Sequence, residues 1–167
     1  MFTSWFQWVD AFPSSVYLRE SEYGFPVFLT IHVVSMGLFA GLIVMMDLRL
    51  VGVAYRWTPL TQIQKRLFSW QMLGLAVSSI SGLLLLYAQP MRYHGKVLFW
   101  VKMGLMGLAG VNALAFHLTT YRSVSKWDTN IVPPLWARMA GALSLLLWAG
   151  VVIFGRLTAY EWLSTRG

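Results

Sequence analysis

The strongest constraint on this chain is a series of four long apolar runs separated by shorter polar stretches. As a helix rising about 1.5 Å per residue, each run is long enough to cross the roughly 30 Å hydrocarbon core of a bilayer. A membrane β-barrel would need many more segments of about ten alternating residues. The sequence therefore predicts an all-α integral membrane four-helix bundle, with spans at about residues 25–47, 67–87, 97–119 and 137–157.

Composition excludes the main soluble classes. Only 11% of the residues are charged and 57% are hydrophobic, whereas a soluble domain carries about 25% charged residues. The absence of cysteine excludes disulfides, thiolate metal sites and covalent haem attachment. The formal net charge of +7 would suggest nucleic acid in a soluble protein, but here the basic residues lie between apolar runs. We therefore expect a lipid membrane as the surrounding partner and no nucleic acid.

The first 24 residues have the composition of a membrane-surface segment. They lack a positive region followed by an apolar core and a cleavage site, so a secretory signal peptide is not expected. Trp5, Phe6 and Trp8 supply an aromatic face, which is typical of a helix lying in the membrane interface. The sequence thus predicts a short N-terminal interfacial segment, residues 1–24, followed by a four-transmembrane-helix domain, residues 25–167.

Connection lengths and charge predict the topology. The short connection between the second and third spans predicts an antiparallel hairpin. We call the end that holds this connection and both termini side A, and the end that holds the connections 48–66 and 120–136 side B. Side B carries seven Lys or Arg residues and side A carries six, of which Lys102 and Arg156 are predicted to lie within spans, and side A also holds four of the six acidic residues. Because cytoplasmic loops are rich in Lys and Arg, we expect side B to be cytoplasmic, with both termini periplasmic, in a bacterial inner membrane.

Three basic residues are predicted to lie inside the spans near side A. His32 is about 10 Å along the first span by helical rise, and Lys102 and Arg156 lie at a similar depth in the third and fourth. His94 lies in the short connection at the same end. An ionisable group in hydrocarbon is costly and is by default a functional hypothesis. The sequence therefore predicts the functional site at side A.

The residue types of this site suit a b-type haem. Imidazole is a common axial ligand of haem iron, and Lys or Arg pairs with the propionates. We therefore predict haem binding by His32, His94, Lys102 and Arg156, in an electron-transfer component between the quinone pool and a periplasmic partner. A single haem joining His32 to His117 is excluded, since His117 lies about 30 Å along its span. Glycines toward side A on four spans are expected to admit a flat ring: Gly37, Gly82, Gly104, and Gly150 or Gly155.

Two other interpretations stay open. Copper favours imidazole and thioether ligands, which His32, Met36 and His94 would supply, with Met91 and Met103 further along the chain. Alternatively, the chain is a non-catalytic accessory subunit that docks its glycine-rich helix faces onto a larger membrane complex. In either case, the sequence shows no catalytic triad, phosphate loop or paired carboxylates, so we expect at most a redox subunit and no hydrolytic or transferase activity.

Four further polar residues lie in the spans. Asp47 and Arg49 close the first span and are expected to form a local ion pair. Asn112, in the middle of the third span, is expected to hydrogen-bond to a neighbouring helix, and His117 lies near the level of Asp47. These residues are predicted to stabilise the bundle rather than to relay protons.

Short segments from about Leu18 to Tyr160 carry a family resemblance. They include the sequences around Arg19, His32, Asp47–Gly52, Lys102, Asn112–His117, Ala137–Gly141 and Gly155–Arg156. In this combination the chain resembles an uncharacterised bacterial family of short four-span membrane proteins, a domain of unknown function. It is also distantly similar to the membrane domain of copper-export proteins. His32, Lys102 and Arg156 match the family pattern, and His94 does not.

Overall fold

A computed structural model describes the backbone of residues 2–164 and the side chains of residues 4–158. This described part is helical, and four of its helices are long and apolar enough to cross a membrane, which confirms the predicted fold class. The helices are α1 (Phe2–Asp10), α2 (Pro13–Glu20), α3 (Gly24–Val51), α4 (Leu60–Ala88), α5 (Pro90–His94), α6 (Val97–Leu118) and α7 (Leu135–Ser164), with a 3₁₀ helix at Thr120–Lys126.

The long helices extend beyond the apolar runs that predicted them. Helix α4 begins at Leu60, ahead of the predicted residue 67, because its polar first turns stay helical outside the lipid. Hydropathy marks where a helix meets lipid, and not where its hydrogen bonding begins. Helix α3 continues to Val51 and ends at Gly52, whose φ of 83° is the left-handed conformation that glycine adopts at helix ends.

The N-terminal segment forms two short helices where the sequence predicts one. Pro13 starts α2, as proline often does at a first helical position. Ser15 Oγ donates to the carbonyl oxygen of Tyr87 over 2.8 Å, and Ser14 Oγ lies 2.6 Å from the Tyr87 hydroxyl. Helix α1 packs against α5 and buries Phe6. The segment therefore covers the side A end of α4 and α5.

The four long helices pack in the order α4, α3, α7, α6. Helices α4 and α6 follow each other along the chain yet make almost no contact, so the predicted hairpin is not a packed pair. Their connection contains helix α5 instead of a tight turn. Small residues also give each a closer partner, since Gly74 of α4 lies against Phe39 of α3 and Gly150 of α7 lies against Leu105 of α6.

The best-packed region lies at side B. A Cβ atom on Gly141 of α7 would stand 2.8 Å from Leu50 Cβ, so α3 and α7 approach closely there. All four long helices contribute to one buried cluster, together with a residue that follows the 3₁₀ helix. Its members are Met46, Leu50, Leu60, Phe116, Trp127 and Ala137.

Candidate functional site

His32 lies half-buried on α3, with its ring against α4. Its Nδ1 is 2.9 Å from the carbonyl oxygen of Ser78 and 3.2 Å from Ser81 Oγ. Because a carbonyl oxygen can only accept, Nδ1 is assigned the proton and Nε2 keeps its lone pair. Among the described residues, no hydrogen-bond partner reaches Nε2. The imidazole is therefore fixed in orientation while its basic nitrogen stays unused.

Gly82 of α4 makes room for this ring. A Cβ atom at Gly82 would lie 2.9 Å from His32 Cε1, which is closer than real Cβ contacts come. Ser81 Oγ donates to the carbonyl oxygen of Val77 over 2.6 Å, so this serine is also held in place. Ser78, Ser81 and Gly82 of α4 thus fix the orientation of the His32 ring and let α3 and α4 approach closely.

Lys102 reaches the same region from α6. It is half-buried, and its aliphatic chain lies along Gly155 of α7, where a Cβ atom would stand 3.5 Å from Lys102 Cδ. It is close enough to His32 for their charges to interact. No partner for its ammonium group is found within residues 4–158. Arg156 follows Gly155, and its side chain is exposed. The structure thus brings Lys102 near His32 and leaves Arg156 at the rim.

His94 and Met36 lie elsewhere relative to the His32 ring. The His94 ring packs 4.6 Å from the Phe6 ring of α1, and no contact joins it to His32 in the described part of the chain. Met36 is one turn beyond His32 on α3, so both side chains project from one helix face. Within the described residues, no group of three or more His, Asp or Glu side chains is placed to hold a metal ion. Copper binding by His32, Met36 and His94 therefore stays a prediction.

The glycines expected to admit a flat ring divide into two groups. Gly82, Gly150 and Gly155 are covered by His32, Leu105 and Lys102 respectively. A Cβ atom at Gly37 or Gly104 would meet no described heavy atom within 4 Å. The chain's own side chains therefore fill the inner positions, while the open glycines lie on exposed helix faces.

Arg49 organises side B. It is fully buried, and its Nε donates to the carbonyl oxygen of Thr58 over 2.8 Å. Its Nη2 donates to the carbonyl oxygens of Asp128 and Asn130 over 3.0 and 3.1 Å. Its Nη1 has no partner among the described residues. One guanidinium thus ties together the two connections at this end of the bundle.

Asp47 and Arg49 do not form the predicted ion pair. Two residues apart on a helix, they point to different sides of α3. Asp47 is buried, and its carboxyl group lies beside Ser144 of α7. Its Oδ2 has no partner within the described chain. The two charged groups therefore serve separate helix contacts.

Asn112 and His117 both hydrogen-bond within the bundle. Asn112 Nδ2 donates to the carbonyl oxygen of Ala140 on α7 over 3.0 Å, an interhelical bond of the kind expected from the sequence. His117 is exposed, and its Nδ1 donates to the carbonyl oxygen of Ala113 over 2.9 Å. Gln64 Nε2 of α4 lies 3.3 Å from His117 Nε2. Unlike His32, His117 therefore has a partner on each ring nitrogen.

Comparison with protein families matches residues 6–161 to DUF6644, which is described as a family of unknown function. The chain belongs to the DUF6644 family. No curated protein and no solved structure matches it. The resemblance to a family of unknown function therefore holds, whereas no match supports a link to copper-export proteins.

Sequence reasoning on this DUF6644 chain missed the role of Asp128. Its Oδ1 accepts from the Thr61 backbone N–H over 3.0 Å, and its Oδ2 accepts from the Thr61 hydroxyl over 2.5 Å. Asp128 thereby caps the first turn of α4 from a distant connection. The sequence signals Asp128 only as one of six acidic residues in the chain, because no local pattern connects it to Thr61.

Two tyrosines outside the spans are shifted in pKa. Burial raises the pKa of Tyr121 in the 3₁₀ helix, and the Asp128 carboxylate raises it further. Burial also raises the pKa of Tyr93 in α5, while Arg92 opposes the shift. Both phenols are therefore held in their neutral form in the fold.

Proposed function

We propose that this DUF6644 protein binds a b-type haem near side A, that Nε2 of His32 would hold the haem iron, and that the bound haem would supply one-electron transfer in the membrane. The observation that carries this proposal is the His32 ring itself. Its Nδ1 is anchored on the Ser78 carbonyl oxygen, and its Nε2 lone pair is unused among the described residues. Histidines that bind metals almost always donate their other ring nitrogen to a carbonyl, a carboxylate or water.

The neighbouring basic groups have a role in the same proposal. The Lys102 ammonium group, half-buried near His32, would pair with a propionate, and Arg156 at the rim would do the same closer to water. When bound, the haem supplies one-electron redox chemistry. The chain's part is to orient the imidazole, to balance charge and to restrict water through its apolar helices.

The position opposite His32 is not assigned to Met36 or His94. Met36 projects from the same face of α3 as His32, so it does not approach the His32 ring from another helix. His94 is covered by Phe6. We therefore propose that, of these three side chains, His32 would hold the haem iron.

The location of side A supports the proposed electron route. Basic residues flank the spans at side B, which favours a cytoplasmic side B and a periplasmic side A in a bacterial inner membrane. A redox group at the depth of His32 would be accessible to membrane quinone from the lipid and to a periplasmic partner from water. We propose these two as the exchange partners.

The test is the optical spectrum of protein purified from cells with ample haem. We expect a Soret band in the wild type and its loss in His32→Ala. His117→Ala is the matched control and should keep the band, because His117 lies at the other end with both ring nitrogens bonded. Lys102→Met should keep the haem and lower its midpoint potential, since a nearby positive charge is removed. A wild-type protein without haem would overturn the proposal.

A second candidate function is that of an accessory subunit of a membrane complex. This function is favoured by glycines on α3 and α6 that no other part of the described chain covers. A Cβ atom at any of four positions would meet no described heavy atom within 4 Å: Gly37, Gly41, Gly104 and Gly107. Such faces let another transmembrane helix approach closely. Gentle detergent extraction should then recover the protein in a larger complex that Gly41→Leu or Gly107→Leu disrupts. Migration at its own mass under these conditions would argue against this role.

A further inference from the structure

A second feature at side A lies apart from His32 and Lys102. A pocket of about 420 Å³ opens where the N-terminal helices meet the end of α4, and it is lined by Asp10, Arg19, Gln89, Met91 and Arg92. These residues come from α1, α2, α5 and the junction between α4 and α5. The pocket therefore forms only when the N-terminal segment is seated on the bundle.

Two guanidinium groups face this pocket, and both are held in place. Arg19 Nη1 donates to Asp10 Oδ1 over 2.7 Å, and Arg92 Nη1 donates to Gln89 Oε1 over 2.7 Å. Two arginines and one aspartate give the lining a formal charge of +1. Arginine presents several N–H donors in a rigid plane, a geometry that suits two-point recognition of phosphate or carboxylate. The pocket is therefore suited to an anion.

The level of the pocket indicates where that anion comes from. Helix α4 ends at Ala88, and the junction residues of the pocket follow within about one turn. Headgroup phosphates lie just outside the hydrocarbon core. Trp5 and Trp8 on α1 are 56% and 62% exposed, as aromatic residues at a membrane surface are. Met91 adds an apolar wall that is 38% exposed.

We propose that this pocket binds the phosphate group of an anionic phospholipid, with Arg19 and Arg92 donating to its oxygen atoms. Met91 then contacts the glycerol and acyl part, and Asp10 keeps Arg19 in position. Because the two arginines come from different parts of the chain, a bound lipid fastens the N-terminal helices onto the end of α4. This binding does not depend on the proposed haem.

The experiment is native mass spectrometry of the delipidated full-length protein, titrated with phosphatidylglycerol, phosphatidylcholine or inorganic phosphate. We expect preferential retention of phosphatidylglycerol. Arg92→Gln and Arg19→Gln should each weaken it on the order of tenfold, which corresponds to the loss of one charged hydrogen bond. Arg56→Gln, which removes the same charge from an exposed position at side B, is the matched control and should leave retention unchanged.

Asp10→Asn separates lipid binding from a purely structural role of the ion pair. It removes the carboxylate charge that faces Arg19 but keeps both guanidinium groups, so retention should hold or increase. A loss as large as in Arg19→Gln would overturn the proposal. Equal retention of the two lipids, an equal loss in Arg56→Gln, or displacement of the lipid by equimolar inorganic phosphate would also overturn it.

Discussion

At side B, Arg49 is fully buried and three backbone carbonyl groups accept its hydrogen bonds. At side A, His32 and Lys102 are only half-buried, yet His32 Nε2 and the Lys102 ammonium group have no hydrogen-bond partner among the described residues. An ionisable group in a membrane span is costly at either end. The comparison teaches that burial alone does not mark a functional residue. Arg49 joins two connections through three hydrogen bonds although its Nη1 has no partner among the described residues, whereas His32 is held to α4 through Nδ1 only.

The largest predicted effect tests the structural role at side B. Arg49→Ala should lower the free energy of unfolding by about 3–5 kcal/mol, because it removes a buried guanidinium group and the three hydrogen bonds by which it joins the two connections. His32→Ala should cost about 1 kcal/mol, since it removes mainly one hydrogen bond. Denaturant unfolding in detergent, followed by tryptophan fluorescence, measures both. Equal losses would remove the distinction between the two ends.

Arg49→Lys is the control for this prediction. It keeps the positive charge, but an ammonium group on a flexible stem does not reproduce the guanidinium geometry that spans the two connections. We expect a loss between those of the wild type and Arg49→Ala. Full stability in Arg49→Lys would show that charge alone fixes side B.

A series of Gly→Ala substitutions tests how closely the helices pack at each end of the bundle. Gly141→Ala should cost about 1–3 kcal/mol, because its Cβ would lie 2.8 Å from Leu50 Cβ and 3.1 Å from the backbone oxygen of Asp47. Gly82→Ala should cost less, since the His32 ring can move away, but it should displace that ring and weaken the Soret band that the proposed haem predicts. Gly37→Ala, which meets no described atom within 4 Å, is the neutral control. Unfolding free energies that do not follow this order would contradict the packing described here.

The smallest effect concerns pH at side B. The pKa of Tyr121 is raised in the fold, so its neutral form is favoured there. Its contribution to stability is therefore fully present below the unfolded tyrosine pKa of about 10 and is lost as pH rises through the raised folded pKa. Unfolding measured from pH 8 to 11 should show this alkaline loss, and Tyr121→Phe should reduce it. An unchanged alkaline loss in Tyr121→Phe would assign it to another group.

Much of the fold could be predicted because lipid imposes a single strong requirement on the sequence. Apolar runs long enough to span the bilayer identify α3, α4, α6 and α7. Hydropathy gives no such signal for helices outside the lipid. It therefore does not predict the polar start of α4 at Leu60 or the division of the N-terminal segment at Pro13.

For the residues of the candidate site, the sequence predicts only their depth in the membrane. Helical rise gives depth, and depth selected His32, Lys102 and Arg156. It does not give rotation about the helix axis or the identity of the neighbouring helix. For that reason the predicted ion pair of Asp47 with Arg49 is wrong. The contact of the His32 ring with Ser78 and Gly82 could not be predicted either.

By itself, the sequence determined that this DUF6644 chain is a membrane protein with four helices long and apolar enough to span the bilayer. Hydrophobicity and helical rise act along the chain, so both can be read from residue order. Only the tertiary structure decided that α4 and α6 stay apart, that Arg49 donates to three carbonyl groups from two connections, and that His32 is fixed through Nδ1 alone. Those outcomes depend on which side chains meet across helices, because hydrogen bonds and close packing act over a few ångströms between residues that lie far apart in the sequence.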